Sequence, residues 1–168
     1  MTRVEGGFRS STRIATLLVA VFVCASAAVA VARSTAASVT THQGKLGTML
    51  AGGNGHTLYL FTHDSKGKST CYKTCSTTWQ PDLTHARPLA KGSGVSSKLL
   101  GTTRRSNGTL QVTYNGHPLY FYSGDKQAGN MHGEGVNAFG GHWYVVSTKG
   151  AAMKPKKAVV WSPGNQGY

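Results

Sequence analysis

Residues 47–64 (GTMLAGGNGHTLYLFTHD) align without a gap on residues 108–125 (GTLQVTYNGHPLYFYSGD), 61 positions further along, and eight of the 18 positions are identical. An internal duplication of this kind constrains the fold more than any other feature of the chain, because both copies must form the same supersecondary unit and bury their apolar faces together. Each copy reads as a hairpin: a short strand, an Asn-Gly turn suited to the positive φ angles of a type I′ turn, and a second strand rich in Leu and aromatic residues. In that second strand Tyr59 and Phe61 share one face and Leu58 and Leu60 the other, and Tyr120/Tyr122 with Leu119/Phe121 repeat the pattern. Apolar residues on both faces predict strands covered on both sides. A further strand is expected at residues 142–147. A short helix is expected around Ser69 to Trp79, which would set Cys71, Cys75 and Trp79 on one face at i, i+4 and i+8. The fold class expected is therefore mainly β, with antiparallel hairpins from a tandem duplication and one short helix.

Composition agrees with this once the N-terminus is set aside. Arg3, Arg9 and Arg13 precede an uncharged run at residues 14–32 that ends in Ala28, Ala30 and Ala32, the layout of a secretory signal with an Ala-x-Ala cleavage region. A rival reading keeps the segment as an uncleaved anchor, since the run is just long enough to span a bilayer. The whole chain of 168 residues carries 18 Lys plus Arg against 5 Asp plus Glu. After residue 32 there remain 15 cations and 4 acids, a net +11, on 136 residues. Leu, Val and Phe are scarce there and Ile is absent, so seven Tyr and three Trp must supply the core, and 20 Gly point to tight turns. Residues 33–43, rich in Ser, Thr and Ala without hydrophobic periodicity, read as a tether. The two-repeat domain is then expected at residues 44–150 and a basic tail at 151–168.

At this point the chain resembles the secreted-repeat, or predicted lipoprotein, family with a Y-x-[FWY]-x-x-D motif. The motif stands twice, as Tyr59-Leu60-Phe61-Thr62-His63-Asp64 and as Tyr120-Phe121-Tyr122-Ser123-Gly124-Asp125. The first copy runs on into Cys71-x-x-x-Cys75-x-x-x-Trp79-Gln80-Pro81, similar to the family's C-x3-C followed by Trp-Pro, with Gln80 interposed. Setting Trp79 against Trp143 leaves Gly135 and Phe139 where the second copy would carry cysteines. The resemblance implies an exported, envelope-associated protein and brings no activity with it. Many relatives look like lipoproteins, whereas Val23 before Cys24 departs from the lipidation pattern, which wants a small residue there.

Candidate chemistry is sparse. Asp64 and Asp125 end their strands, where a carboxylate serves as a ligand or acid, or more simply as a turn or helix-cap acceptor. Tyr59 and Tyr120 either donate to these carboxylates or fill the core, and core filling is expected in so aliphatic-poor a domain. With Cys24 removed alongside the signal, Cys71 and Cys75 are expected to form a disulfide in an oxidising compartment. Seven His with Met131, together with Cys71 and Cys75, raise a metal-binding or redox accessory protein as the alternative function, with Met131, His132 and His142 as the metal candidates, yet no tight ligand spacing occurs and no cofactor is expected. Arg104-Arg105 and Lys154, Lys156 and Lys157 are the densest basic clusters. They suit anionic cell-envelope polymers or a membrane surface; no nucleic-acid module accompanies them and no small-molecule substrate is identified. A non-enzymatic binding or structural module is the function expected.

Overall fold

The computed structural model describes residues 1–2 and 35–154. The expected signal or anchor at residues 1–32, Cys24, and the tail beyond Lys154 lie outside the described residues. Among the described residues no helix is long and apolar enough to cross a membrane.

The architecture is mainly β and antiparallel. A ladder of β1 (Ser38–Gly44) with β2 (Gly47–Gly52) opens the first repeat, and a ladder of β7 (Leu100–Arg104) with β8 (Leu110–Tyr114) opens the second. Each is followed by a short aromatic strand, β3 (Tyr59–Phe61) or β10 (Tyr120–Tyr122). These two lie side by side in a five-stranded sheet, flanked on the β3 side by β12 (Gly141–Val145), with β11 (Asn137–Ala138) beyond it at the edge, and on the β10 side by β4 (Trp79–Pro81). Their register partner is Tyr59 with Tyr120, two residues related by the duplication itself. The sheet therefore has a local two-fold axis between them. Phe61 pairs with Trp143 across one boundary as Tyr122 pairs with Trp79 across the other.

Because β3 and β10 are apolar on both faces, they carry a core on each side. One holds Tyr59, Phe61, Trp79, Tyr120, Trp143 and both cysteines; the other holds Leu58, Leu60, Leu119, Val39, Val112 and Val146. In the first core four rings stack in the order Phe61, Trp143, Trp79, Tyr122, with centroids 4.0, 4.0 and 4.4 Å apart. The outer pair and the inner pair are each exchanged by the two-fold. Aromatic area thus replaces the missing aliphatic residues.

Three expectations are corrected. Residues 38–43 are not a tether: they form most of β1, which pairs with β2 and also, in parallel, with β6 (Leu89–Ala90). Val39 alone supplies its buried apolar anchor, and Thr40 and Thr41 favour a strand through β-branching rather than through a hydrophobic period. At the other end Met153 N–H still bonds Val145 O at 2.8 Å, so residues 151–154 belong to the domain and not to a tail. The Asn-Gly turns also differ. Asn115 and Gly116 both have positive φ (50° and 78°) between Tyr114 and its partner His117, which opens β9 (His117–Pro118), a type I′ turn, whereas in the first copy Gly55 but not Asn54 is positive and Gly52 pairs onward to His56. That adds one residue to the loop, and a Cβ on Gly53 there would collide with Ser38. Leu58 N–H consequently meets Leu50 O while Leu119 N–H meets Val112 O, a one-residue slip between otherwise equivalent units.

The helix α1 is confined to Thr74–Thr78, because Lys73 adopts φ 52° and breaks any continuation back to Cys71. The Cys71–Cys75 disulfide is present, with Cα atoms 5.2 Å apart and both residues buried. It closes a loop of a few residues, so replacing both cysteines by Ser is expected to cost about 2 kcal/mol on the chain-entropy account. Denaturant unfolding of the oxidised protein and the variant checks this, and equal midpoints would contradict it.

Candidate functional site

The motif residues converge across the two-fold. Tyr59 Oη donates to Asp125 Oδ2 at 2.6 Å, and Tyr120 Oη donates to Asp64 Oδ2 at 2.7 Å. Each repeat thus supplies the tyrosine that holds the other repeat's aspartate. The second oxygen of each carboxylate anchors the loop that follows: Asp64 Oδ1 accepts from Thr70 N and Oγ1 at 2.7 and 2.8 Å, and Asp125 Oδ1 accepts from His132 N at 2.8 Å. These bonds span six and seven residues, not the two of an Asx turn. The exchange extends to the backbone, where Gly67 N–H bonds Gly116 O and Gly129 N–H bonds Gly55 O.

Burial, reinforced by the neighbouring Asp125, pushes the Tyr59 hydroxyl far above the ordinary phenol range, and burial with Asp64 does the same to Tyr120. Both phenols are therefore fixed donors rather than proton acceptors. Burial also raises the Asp64 carboxyl, against the bonds from Tyr120 and Thr70 and the charge of Arg105 that hold it down. Phe61 and Tyr122 play no polar part and cap the two ends of the ring stack.

Arg105 is the functional-looking residue misplaced by sequence reasoning, which set it in a surface cluster. It is buried, with Nη1 donating to Ser69 Oγ and Gln111 Oε1 and Nη2 donating to Cys71 O, at 2.8, 2.6 and 2.6 Å. Its guanidinium also lies 4.4 Å from the Tyr72 ring centroid. The donors run in one direction, from Arg105 to Ser69, from Ser69 to Tyr120 Oη, and from Tyr120 to Asp64. In the second repeat a backbone group replaces the serine, since Gly133 N–H reaches Tyr59 Oη at 3.3 Å. A run of two arginines gives no sign in sequence of which one turns inward. Its neighbour Arg104 stays exposed and bonds Gly108 O.

The weak metal candidates are placed apart in role. Met131 packs on the aromatic core, His142 stacks on Tyr144, and His132, 67% exposed, sets Nδ1 3.2 Å from Asp125 Oδ1. Among the described residues no group of three or more His, Cys, Asp or Glu converges to hold a metal.

The distribution of charge is more informative. Residues 35–154 carry 12 Lys and Arg, of which all but Arg105 are exposed, and 4 carboxylates, none of which is exposed. Asp82 and Asp125 are buried and Asp64 and Glu134 half-buried. Sequence counting shows the surplus but not that the few acids are withdrawn from the surface.

Two stretches of the chain, residues 40–81 and 101–147, match a family model described as a secreted repeat of unknown function. They begin within β1 and β7 and end at β4 and just past β12, so the matched units are the two structural repeats. No curated protein and no solved structure matches the chain.

Proposed function

Because this chain belongs to the family of secreted repeats of unknown function, we propose that it is an exported, non-catalytic binding module whose surface associates with anionic polymers of the cell envelope. The observation that carries this reading is the one-signed surface: eleven exposed cations and no exposed carboxylate among the described residues. Such a surface attracts polyanions without a shaped pocket, through a field that salt screens over about 8–10 Å. The non-catalytic part rests on the motif carboxylates, which are spent on Tyr59, Tyr120 and loop backbone and have little capacity left for a substrate.

Retention on a phosphorylated polymer matrix is expected to be strong at low ionic strength and to fall steeply as salt rises, and the triple charge reversal of Lys66, Lys68 and Lys126 to Glu is expected to move elution to lower salt. Salt-independent retention would overturn the reading. Preferential binding to vesicles of anionic lipid over the polymer would redirect it to the membrane surface.

A further inference from the structure

The first repeat closes the outer edge of its opening ladder with a strand, and the second repeat leaves the same edge bare. Val39 of β1 and Leu100 of β7, 61 positions apart like the aligned repeats, both pack in the aliphatic core. On β1 the edge is taken by β6: Leu89 N–H bonds Ala37 O at 2.9 Å and Lys91 N–H bonds Val39 O at 2.8 Å. On β7 the bonds that bracket the ladder, Asn115 N–H to Leu99 O and Arg105 N–H to Thr109 O, show that the odd-numbered residues face β8. Alternation turns the backbone N–H and C=O of Leu100, Thr102 and Arg104 to the other side. There β7 is the last strand of its sheet, which runs β5 (Leu83–Thr84, with Leu83 exposed), β8, β7, and no strand among the described residues pairs with that edge.

The chain that would close it goes elsewhere. Asp82 N–H bonds Leu119 O and Asp82 O accepts from Val112 N, while Val146 N–H bonds Leu58 O and Val146 O accepts from Leu50 N, so Asp82 and Val146 hold the same place in the two units. Seven residues after Asp82 the first repeat enters β6 at Leu89. Seven residues after Val146 the second is at Met153, whose N–H bonds Val145 O, so it has folded back on its own strand. Exposed edges are ordinarily blunted by proline, a bulge or a cover. β6 is blunted, because Leu89 and Lys91 face β1 and one of its outward positions is Pro88, which has no N–H. β7 is not: its five residues include no proline and pair in unbroken register with β8.

What guards β7 is charge of one sign. Arg104 is exposed, Lys98 precedes the strand, and Lys66 and Lys68 flank Gly67, whose carbonyl accepts from Thr103 Oγ1. A second copy would bring the same cations and be repelled, whereas a strand carrying acids is attracted. On the opposite face, which Leu100, Thr102 and Leu110 share, a cavity of about 370 Å³ lies beside the strand. Strand addition uses such hollows for alternate side chains, while the backbone ladder supplies affinity.

We propose that the outer edge of β7 docks an extended acidic segment of another exported protein as a further strand. Its backbone bonds Leu100, Thr102 and Arg104, its apolar side chains enter the hollow beside Leu100, and its carboxylates lie on the Thr103 face with Lys66 and Lys68. This goes beyond association with polymers, because it requires peptide groups as well as charge.

Amide hydrogen exchange, read residue by residue by NMR on the exported protein, tests it with an end-blocked seven-residue peptide of alternating glutamate and valine. In the free protein Leu100, Thr102 and Arg104 are expected to exchange fast, and Gly101 and Thr103 slowly. The peptide should slow the first three at least tenfold, to order of magnitude. The same peptide N-methylated at every residue keeps its charges but has no N–H to give, and should bind about tenfold more weakly or not at all. Lysine in place of its glutamates should abolish the protection. Thr102→Pro removes an outward N–H and no bond to β8, and should weaken the peptide about tenfold with the β7–β8 ladder still protected. No slowing of the three amides, or equal binding of the N-methylated or the lysine peptide, would overturn the site. Equal binding of the N-methylated peptide would leave association by surface charge standing. Protection of Leu100, Thr102 and Arg104 already present in the free monomer would overturn it in favour of a segment of this chain, and protection that accompanies a sedimenting dimer in favour of a second copy.

Discussion

Asp125→Ala is expected to lower the unfolding free energy by about 3 kcal/mol, and Asp64→Ala by distinctly less, about 1–2 kcal/mol. The motifs are near-equivalent in sequence, so the difference comes from what each tyrosine keeps. Without Asp125, the Tyr59 hydroxyl is fully buried with no other acceptor, for its remaining neighbour, Gly133 N–H, is itself a donor. His132 N–H loses its acceptor in the same step. A fully buried donor left without a partner costs up to about 3 kcal/mol, and the Tyr59 hydroxyl is such a donor, whereas His132 N–H sits at an exposed residue and adds less. Without Asp64, Tyr120 retains Ser69 Oγ at 2.7 Å, a hydroxyl that can turn to accept, and Asp64 is only half-buried to begin with. Urea unfolding of the two variants gives the order directly. A double-mutant cycle of Tyr59→Phe with Asp125→Ala should show coupling above about 1 kcal/mol, because each single change removes the same bond and strands the group at its other end. If Asp64→Ala were the costlier of the two, or the cycle additive, the cross-repeat bonds would not be what fastens the repeats together.

That fastening was the part of the molecule least legible in sequence. Hairpins are local, so Asn-Gly turns and the alternation of Tyr59 and Leu60 declared β3, β10 and their two covered faces, and an even pair of cysteines left in an oxidising compartment declared the bridge. The partner of a tyrosine 66 residues away is a different matter. A motif that contains both Tyr and Asp suggests a bond within one copy, and what decides for the exchange is the antiparallel register that sets Tyr59 against Tyr120. The same limit hid β1. Its strand signal is β-branching in Thr40 and Thr41 plus one anchor, Val39, and only the ladder to β2 makes that segment worth ordering. Arg105 was opaque for a third reason: an arginine goes inside when acceptors from distant segments, here Ser69, Cys71 O and Gln111, meet at one point. In each case the missing information is a long-range coincidence, while the local propensity was read as it stands.

Asp82→Val is expected to stabilise the protein at pH 8 by about 3 kcal/mol and to gain much less at pH 4. Burial without a compensating partner raises the Asp82 carboxyl from its ordinary 3.8 to about 7. Between those values the folded protein holds a proton that the unfolded chain has released, so the folded state binds more protons and its stability falls as pH rises through the window. Below about pH 4 both states are protonated and the penalty vanishes, and above about pH 7 it is complete, at most about 4 kcal/mol from the 1.36 kcal/mol carried by each pKa unit. Asp64 and Glu134 are raised by burial as well and tilt the stability curve the same way. Comparing the native protein with Asp82→Val at each pH removes their contribution, leaving Asp82 alone in the difference. The valine is the residue the second repeat already carries in this position, which makes the backbone compatible with it. Thermal or urea unfolding from pH 4 to pH 8 should therefore give two curves that diverge with rising pH, the native protein below, with most of the divergence complete near pH 7. Parallel curves would mean that the Asp82 carboxylate is solvated or paired, and that keeping it inside costs the fold nothing. Diverging curves would measure what the first repeat gives up to keep an aspartate inside and Leu83 outside.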